Sequence, residues 1–160
     1  VDLAQTAIDT VKPDAKEKDI EIDLHAAEPI VFYCDQNDIE IVLNNFLSNA
    51  VKYNKEHGRV DVYIENKDDA LSIAVKDTGI GMSQEEADKL FGEFVRIKNR
   101  RTKGILGSGL GLSIVKKIAR LYNGEVNVTS KENEGSTFRV ILRHTDENVE
   151  IKNEDQLLLN

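Results

Sequence analysis

Four short segments of alternating apolar and polar residues limit the folds that this chain can adopt. They form two pairs, 59–66 with 70–77 and 125–130 with 136–143, and three residues separate the first pair and five the second. Alternation with period two is typical of half-buried strands, and such a short connection favours an antiparallel hairpin. The sequence therefore predicts a largely antiparallel sheet instead of the regular strand–helix alternation of a doubly wound fold.

Three longer stretches carry apolar residues at helical spacing, and they span residues 2–18, 36–54 and 108–123. We expect Asp35 to cap the second helix and Gly124 to end the third, since Asp is a common N-cap and Gly a common stop. Pro13 lies inside the first helix and indicates a break or kink near residue 12.

Weaker patterns complete the predicted order of elements. Alternating segments at 20–25 and 30–34 predict two further strands, and Ser83 with Glu86 forms a capping box that opens a short helix to about residue 90. Residues 95–107 lack periodicity and are predicted to form a loop. Together the elements predict a two-layer α/β sandwich, with the helices on one face of a mixed, mostly antiparallel sheet.

Length and composition exclude several classes of protein. A chain of 160 residues is long enough for one domain, which we place at 1–143, followed by an acidic tail or linker at 144–160. The single cysteine, Cys34, excludes an internal disulfide framework, and three histidines make a structural zinc site improbable. No stretch approaches the roughly 18 apolar residues of a membrane helix. The net charge of −8 disfavours nucleic-acid binding. We also expect that this chain is a cytoplasmic domain cut from a longer protein.

Seven of the ten glycines lie between positions 79 and 111, and a cationic run lies within the same span. The five cations of that run are Arg96, Lys98, Arg100, Arg101 and Lys103. An acidic chain that concentrates cations beside glycines favours an anion site, for which a helix beginning after Gly107 would supply backbone N–H groups. A solvated basic loop is the alternative interpretation.

A polar stripe follows one side of the helix predicted at 36–54. Asp38, Asn45, Asn49 and Lys52 fall within about 60° of one another at helical spacing. A solvent-exposed face would account for the Asp and the Lys, but Asn is a mediocre helix former. Two asparagines one turn apart favour an ion site, since Mg²⁺ takes few protein oxygens and keeps water and phosphate oxygens as its other ligands.

Common nucleotide and hydrolase motifs are missing from the chain. No GxxxxGK[ST] loop and no GxSxG elbow occur, and the glycines at 107–111 read GxGxG after a basic loop, whereas the dinucleotide motif reads GxGxxG after a strand. No histidine stands in a recognisable arrangement with Ser108 or Cys34, so a catalytic triad is not predicted.

Four blocks, taken together, resemble the ATP-binding catalytic domain of sensor histidine kinases, in the superfamily that includes DNA gyrase, heat-shock chaperone ATPases and MutL. The blocks are DQNDIEIVLNNFLSNAVKYN (35–54), DTGIGM (77–82), LFGEFVR (90–96) and GSGLGLSIVKKIARLYNGEV (107–126), with GSTF at 135–138. The resemblance spans residues 1–143. It implies a Bergerat-type sandwich that holds ATP between the long helix and a mobile lid at about 95–106.

The resemblance also implies roles for individual residues. Asn49 matches the Mg²⁺ ligand, Lys52 and Tyr53 match positions that contact phosphate and flank the nucleotide, and Asp77 matches the carboxylate that accepts a hydrogen bond from the adenine amino group. Phe91 and Phe94 match a phenylalanine box that anchors the lid. The other implied binding residues are Asn45, Gly79, Gly81, Met82, Arg96, Gly107, Ser108, Gly109, Leu110, Gly111, Leu112 and Thr137.

Asn45, Lys52 and Arg96 are the expected catalytic residues. Members of the superfamily that hydrolyse ATP carry a glutamate at the position of Asn45, and an amide cannot accept the proton of an attacking water. The resemblance therefore implies a kinase that transfers the γ-phosphate of Mg-ATP to a histidine. A catalytically silent nucleotide-binding module and an anti-sigma-factor-type serine kinase are the alternatives.

The implied phosphoacceptor histidine lies outside this sequence. In the family it begins a His-Glu motif, whereas His25, His57 and His144 are followed by Ala, Gly and Thr. The expected partners are therefore a separate dimerisation and phosphotransfer domain and a response-regulator receiver domain, within a parent homodimer. We expect no contact of this fragment with a membrane or with nucleic acid, and no phosphorylation of the isolated chain by itself.

Overall fold

The computed structural model describes residues 1–26, 30, 32–91, 97, 102 and 109–143, apart from the side chain of Lys67. In chain order the elements are α1 (Asp2–Glu17), β1 (Glu21–Ala26), α2 (Gln36–Lys52), β2 (Arg59–Lys67), β3 (Ala70–Asp77), α3 (Gln84–Lys89), α4 (Gly111–Leu121), β4 (Glu125–Lys131) and β5 (Gly135–Arg143). The tail expected at 144–160 lies outside the described residues.

The described strands form one sheet in the order β1-β2-β3-β5-β4. β1 pairs with β2 in parallel, and the other three pairings are antiparallel. Both predicted hairpins are present, and the β2–β3 turn places Asp68 and Asp69 at positive φ, as a two-residue hairpin loop requires. The prediction of a mixed, mostly antiparallel sheet is confirmed.

One face of the sheet carries the hydrophobic core. Leu43, Phe46 and Leu47 of α2 are fully buried, and the Phe46 ring packs against that of Phe138 on β5, with 5.7 Å between centroids. The buried faces of α1 and α4 join the same cluster, to which the strands contribute alternate residues such as Val62. The structure is therefore the predicted two-layer sandwich, with α2 central on its helical face.

Helix ends follow the local sequence signals at several points. Asp35 caps α2 by accepting a hydrogen bond from the Asn37 N–H at 2.8 Å, and the capping box of Ser83 and Glu86 opens α3 as predicted. Gly124 ends the α4 region, where its N–H donates to the Ala119 carbonyl at 2.8 Å.

The first helix is not broken at Pro13. α1 continues to Glu17, with Val11 and Ala15 buried on either side of the exposed proline. The missing N–H leaves the Asp9 carbonyl without its helical donor on the solvent side, where water can hydrate it. Burial of the apolar stripe therefore keeps the helix continuous.

The strand predicted at 30–34 is wrong for the residues of that segment that the structure describes. Residues 30 and 32–34 have no strand pairing, although Ile30, Phe32 and Cys34 pack against the core. The following residue fixes the end of the segment, because the Asp35 N–H donates to the Tyr122 hydroxyl at 2.9 Å. Apolar residues thus reach the core here from an irregular segment.

The start of the third long helix also differs from the prediction. α4 begins at Gly111 instead of residue 108, since the described residues Gly109 and Leu110 are not helical and Gly109 has a φ of 74°. Its predicted inward face is confirmed, because the residues assigned to it are all buried, namely Leu112, Val115, Ile118, Ala119 and Tyr122.

Candidate functional site

A cavity of about 270 Å³ opens between the C-terminal half of α2, the end of β3 and the beginning of α4. The described residues that line it are Asn45, Ser48, Asn49, Lys52, Tyr53, Asp77, Ile80, Gly81, Met82, Leu90, Ile97, Thr102, Gly109, Gly111, Leu112, Ser136 and Phe138. The polar stripe of α2 and the aspartate that ends β3 therefore share one cavity.

Asp77 is the buried acid of this cavity, with only 5% of its surface exposed. The Gly79 N–H donates to its Oδ1 at 2.8 Å. Burial raises the pKa of Asp77 to about 6, while hydrogen bonds from the Gly79 and Ser136 backbones oppose that rise. Near pH 7 the side chain is mainly an ionised acceptor at the inner end of the cavity.

The loop that follows Asp77 is attached on both sides. The Ile80 N–H donates to the Tyr53 carbonyl at the end of α2, and the Asn133 N–H in the β4–β5 turn donates to the Ile80 carbonyl, at 3.0 and 2.8 Å. A Cβ at Gly79 would overlap the Tyr53 carbonyl. These contacts hold residues 77–82 between α2 and the β4–β5 turn. We call this loop with Asp77 the base end of the cavity, after the adenine base that the sequence predicts to bind here.

The opposite side of the cavity is formed by the start of α4 and the last two turns of α2. Gly111 packs so closely on α2 that a Cβ at this position would overlap Asn45 Oδ1. The Asn45 amide Nδ2 donates to the Ile41 carbonyl at 2.8 Å. A helix N-terminus concentrates backbone N–H groups and the positive end of the helix dipole, a combination that favours anions. We call this side the phosphate end, after the group that the sequence predicts to bind here.

Asn49 and Lys52 line the phosphate end and are half-buried. Within the described part of the chain, the Asn49 side chain has no hydrogen-bond partner, so its amide oxygen can serve a ligand. The C-terminal carbonyls of α2 are capped by Lys18, whose Nζ donates to Val51 and Lys52 at 3.1 and 2.9 Å. Lys18 thereby fixes the last turn of α2, which carries Lys52.

The described residues at this end would supply only part of the ligands of a metal ion. Among the described residues, no group of three or more His, Cys, Asp and Glu side chains could hold an ion. The available oxygen of Asn49 fits Mg²⁺ that keeps water and phosphate oxygens as its other ligands.

The structure brings most of the sequence-predicted site residues together. Those in the cavity lining are Asn45, Asn49, Lys52, Tyr53, Asp77, Gly81, Met82, Gly109, Gly111 and Leu112. Gly79 and Leu110 are not in the lining, although Gly79 bonds to Asp77 and Leu110 precedes α4. Phe94, Arg96, Gly107 and Ser108, the cationic run and most of the lid expected at 95–106 lie outside the described residues.

Thr137 is the one predicted residue whose position on its strand argues against its role. Its neighbours Ser136 and Phe138 line the cavity and are buried. Because successive side chains of a strand point to opposite faces, Thr137 is on the outer face of β5. The described lining contains its neighbour Ser136 instead, a residue that the alternation with apolar Phe138, Val140 and Leu142 could have indicated.

The prediction also missed several other lining residues, which are Ser48, Ile80, Leu90, Ile97, Thr102 and Phe138. Ser48 precedes Asn49 and was within reach of the helical stripe argument. Ile80, Leu90 and Phe138 lie within the quoted blocks but are apolar, and Ile97 and Thr102 lie beyond the blocks, so no polar side chain in a motif marked these five as lining residues. Leu90, for example, packs against the core as well as the cavity.

No helix in the described part of the chain has both the length and the apolar character needed to cross a membrane.

The chain is similar in sequence to known proteins. Residues 34–146 match the family model of histidine kinase-, DNA gyrase B-, and HSP90-like ATPases. The sensor histidine kinase WalK of Bacillus subtilis is 36% identical over 115 residues, which cover 71% of this chain and 19% of WalK. The sensor-like histidine kinase SenX3 of Mycobacterium tuberculosis is 34% identical over 164 residues, 99% of this chain and 40% of SenX3.

Solved structures share the fold. The nucleotide-free catalytic domain of histidine kinase ThkA superposes with a TM-score of 0.77 at 23% identity and covers 92% of this chain and 93% of that domain. Full-length ShkA in complex with AMPPNP superposes with a TM-score of 0.76 at 29% identity, over 88% of this chain and 29% of ShkA. The chain spans less than half the length of the curated relatives WalK and SenX3.

Proposed function

We propose that this chain, which belongs to the family of histidine kinase-, DNA gyrase B-, and HSP90-like ATPases, binds Mg-ATP in the α2–α4 cavity. Within a longer protein, it transfers the γ-phosphate to a histidine of a separate dimerisation domain. One observation carries the proposal: a buried carboxylate, a helix N-terminus and a stripe of carboxamides line the same cavity. Each of these groups complements a different part of a purine triphosphate.

The base end supports selection of adenine. Asp77 presents acceptor oxygens in a buried position, and the exocyclic amino group of adenine is a donor. Guanine carries an oxygen at the equivalent position, so two acceptors would face each other without water between them. A site whose buried polar groups remain unpaired rejects a ligand strongly.

The phosphate end supports binding of the triphosphate. The N-terminus of α4 and the Lys52 side chain supply positive charge, and Asn49 is the residue that would hold Mg²⁺. Bound Mg²⁺ neutralises charge that develops on the phosphates during transfer. Arg96, which lies outside the described residues, is proposed to contact phosphate as well.

Asn45 supports transfer to a protein group over hydrolysis. Its amide is a hydrogen-bond donor to Ile41 and has no proton-accepting nitrogen, so it cannot serve as a general base for water. The domain would hold ATP until an imidazole nitrogen attacks the γ-phosphorus and ADP leaves. Catalysis would then depend on positioning and charge neutralisation.

The partners follow from the same proposal. The relatives are sensor histidine kinases, and they are longer than this chain. We place the phosphoacceptor histidine in a dimerisation domain of the parent protein, which forms a homodimer, and we propose a response-regulator receiver domain as the next acceptor. This arrangement would place the domain in the cytoplasm.

Two measurements test the proposal. Calorimetric titrations with ATP, ADP and GTP, each with and without Mg²⁺, should show binding of the adenine nucleotides that exceeds binding of GTP, and a Mg²⁺ effect on ATP. Mixing the chain with a cognate histidine hairpin and labelled ATP should give acid-labile phosphohistidine. Nucleotide binding without transfer would indicate the silent module, and acid-stable phosphoserine on a partner would indicate the serine kinase.

A further inference from the structure

The hydroxyl of Ser130 makes hydrogen bonds to three neighbours beside the base end of the cavity. Ser130 lies on β4 directly opposite Ser136 of β5, and Ser136 is in turn opposite Asp77 of β3. Ser136 lines the cavity and is only 7% exposed, whereas Ser130 is not among the described lining residues. Ser130 therefore contacts the cavity only through its neighbours.

Three groups surround the Ser130 hydroxyl oxygen at hydrogen-bond distance. The Met82 N–H donates to it at 2.9 Å, the Gly135 carbonyl lies at 3.0 Å, and the Ser136 hydroxyl lies at 2.8 Å. The Met82 N–H can only donate and the Gly135 carbonyl can only accept, whereas the Ser136 hydroxyl can do either.

These partners determine where both hydroxyl hydrogens point. A serine hydroxyl has one hydrogen and two lone pairs, so Ser130 satisfies all three neighbours only by donating to Gly135 and accepting from Met82 and Ser136. The Ser136 hydrogen then points at Ser130, away from the cavity. What Ser136 presents to a ligand is an oxygen lone pair, in the same wall as the acceptor oxygens of Asp77.

We propose that Ser130 is a positioning residue for purine selectivity, because it holds the Ser136 hydroxyl as an acceptor beside Asp77. This inference rests on the proposed binding of ATP in the cavity. With both side chains accepting, the inner wall matches a 6-amino purine, whose amino group carries two N–H donors, and opposes a 6-oxo purine. Without Ser130, the Ser136 hydroxyl turns and donates to a 6-oxo group.

The test compares ATP with inosine triphosphate, which has the same ring shape but carries a 6-oxo group and an N1–H where adenine has a 6-amino group and an N1 acceptor. We expect the native chain to prefer ATP in calorimetric titrations, and Ser130→Ala to reduce the ratio of the two dissociation constants about threefold to tenfold, the worth of one hydrogen bond. Ser130→Thr retains the hydroxyl and should keep the native ratio. Thr129→Ala, on the exposed outer face of the same strand, is the matched control.

The ratio separates positioning from a merely structural effect. If Ser130→Ala lowers the affinities for both nucleotides equally, or leaves both affinities unchanged, the inference is wrong while the proposed function stands. If the native chain binds neither nucleotide, both are wrong. Should Ser130→Ala fail to fold, Ser130→Cys replaces it, since a thiol is a weak donor and acceptor, and the same loss of preference is expected.

Discussion

The two ends of the cavity are built in different ways. At the base end, Asp77 is buried, two backbone N–H groups support its charge, and hydrogen bonds join its loop to α2 and to the β4–β5 turn. At the phosphate end, Asn49 and Lys52 are half-buried side chains that line the cavity together with Gly111 and Leu112 of α4. The base end thus has its polar partners before a nucleotide arrives, whereas the phosphate end presents groups that a nucleotide and its metal would complete.

Under the proposed function, this contrast would assign nucleotide selectivity to the base end and phosphate transfer to the phosphate end. A fixed acceptor wall discriminates between bases because it cannot adjust to a wrong pattern of donors. The polar side chains of the phosphate end would instead contact the phosphates and the metal of the proposed Mg-ATP ligand. Changes at the base end should therefore alter which nucleotide binds, and changes at the phosphate end should alter how Mg²⁺ and the triphosphate contribute.

The largest expected effect concerns the stability cost of burying Asp77. A rise in its pKa from 3.8 to about 6 corresponds to about 3 kcal/mol. Because the folded chain binds this proton more tightly than the unfolded chain, the contribution of Asp77 to stability falls as the pH rises from about 4 to 6. In urea unfolding without nucleotide, the native chain should lose up to about 3 kcal/mol relative to Asp77→Asn across this range. If the difference in free energy of unfolding between the native chain and Asp77→Asn did not change with pH, Asp77 would not be desolvated.

Replacement of Asp77 should also have the largest effect on nucleotide affinity. Loss of a hydrogen bond to a charged acceptor costs about 1.5–3 kcal/mol, or about 10- to 150-fold, and Asp77→Asn should weaken ATP by this amount with the fold intact. Asp61→Asn is the control, since Asp61 pairs with Arg59 and His25 on the opposite face of the sheet. Equal ATP affinities of the native chain and Asp77→Asn in calorimetry would refute the adenine contact.

At the phosphate end, Gly111→Ala tests the close approach of α4 to α2. The added methyl group would overlap Asn45 Oδ1 and force the helix or the amide to move. We expect about a tenfold loss of Mg-ATP affinity, about 1.4 kcal/mol, with adenosine binding unchanged. The exposed Lys117→Ala on the same helix should leave both affinities at native values. A parallel loss of adenosine affinity in Gly111→Ala would mean that the two ends are not separable.

Asn49→Ala should have the smallest effect, and one confined to the metal. Loss of one amide oxygen ligand should lower the affinity for ATP about fivefold, about 1 kcal/mol, when Mg²⁺ is present. It should have no effect on this affinity when Mg²⁺ is chelated. Asn44→Ala lies on the exposed side of the same helix and serves as the matched control. If Mg²⁺ did not change the affinity of the native chain for ATP, Asn49 would not be its ligand.

Local sequence signals predicted much of this structure because they act over a few residues. The N-cap Asp35, the capping box at Ser83 and both hairpins depend on neighbouring backbone groups, and all are present. The segment at 30–34 shows the limit of such signals. Its apolar residues indicated a strand, but they pack against the core from an irregular segment. The residue that follows the segment, Asp35, is held by the hydroxyl of Tyr122, which lies nearly ninety residues away in the chain.

The site shows the same division. The sequence by itself determined its chemistry: the carboxamide stripe, the acid at the end of β3 and the glycines that begin α4 are visible in the order of residues. Only the tertiary structure decided that Ser136 lies opposite Asp77 in the cavity wall, that Gly111 touches Asn45, and that Ser130 joins the base loop to β5. Those contacts connect residues far apart in the chain, and their geometry follows from how the helices and strands pack, which no local pattern encodes.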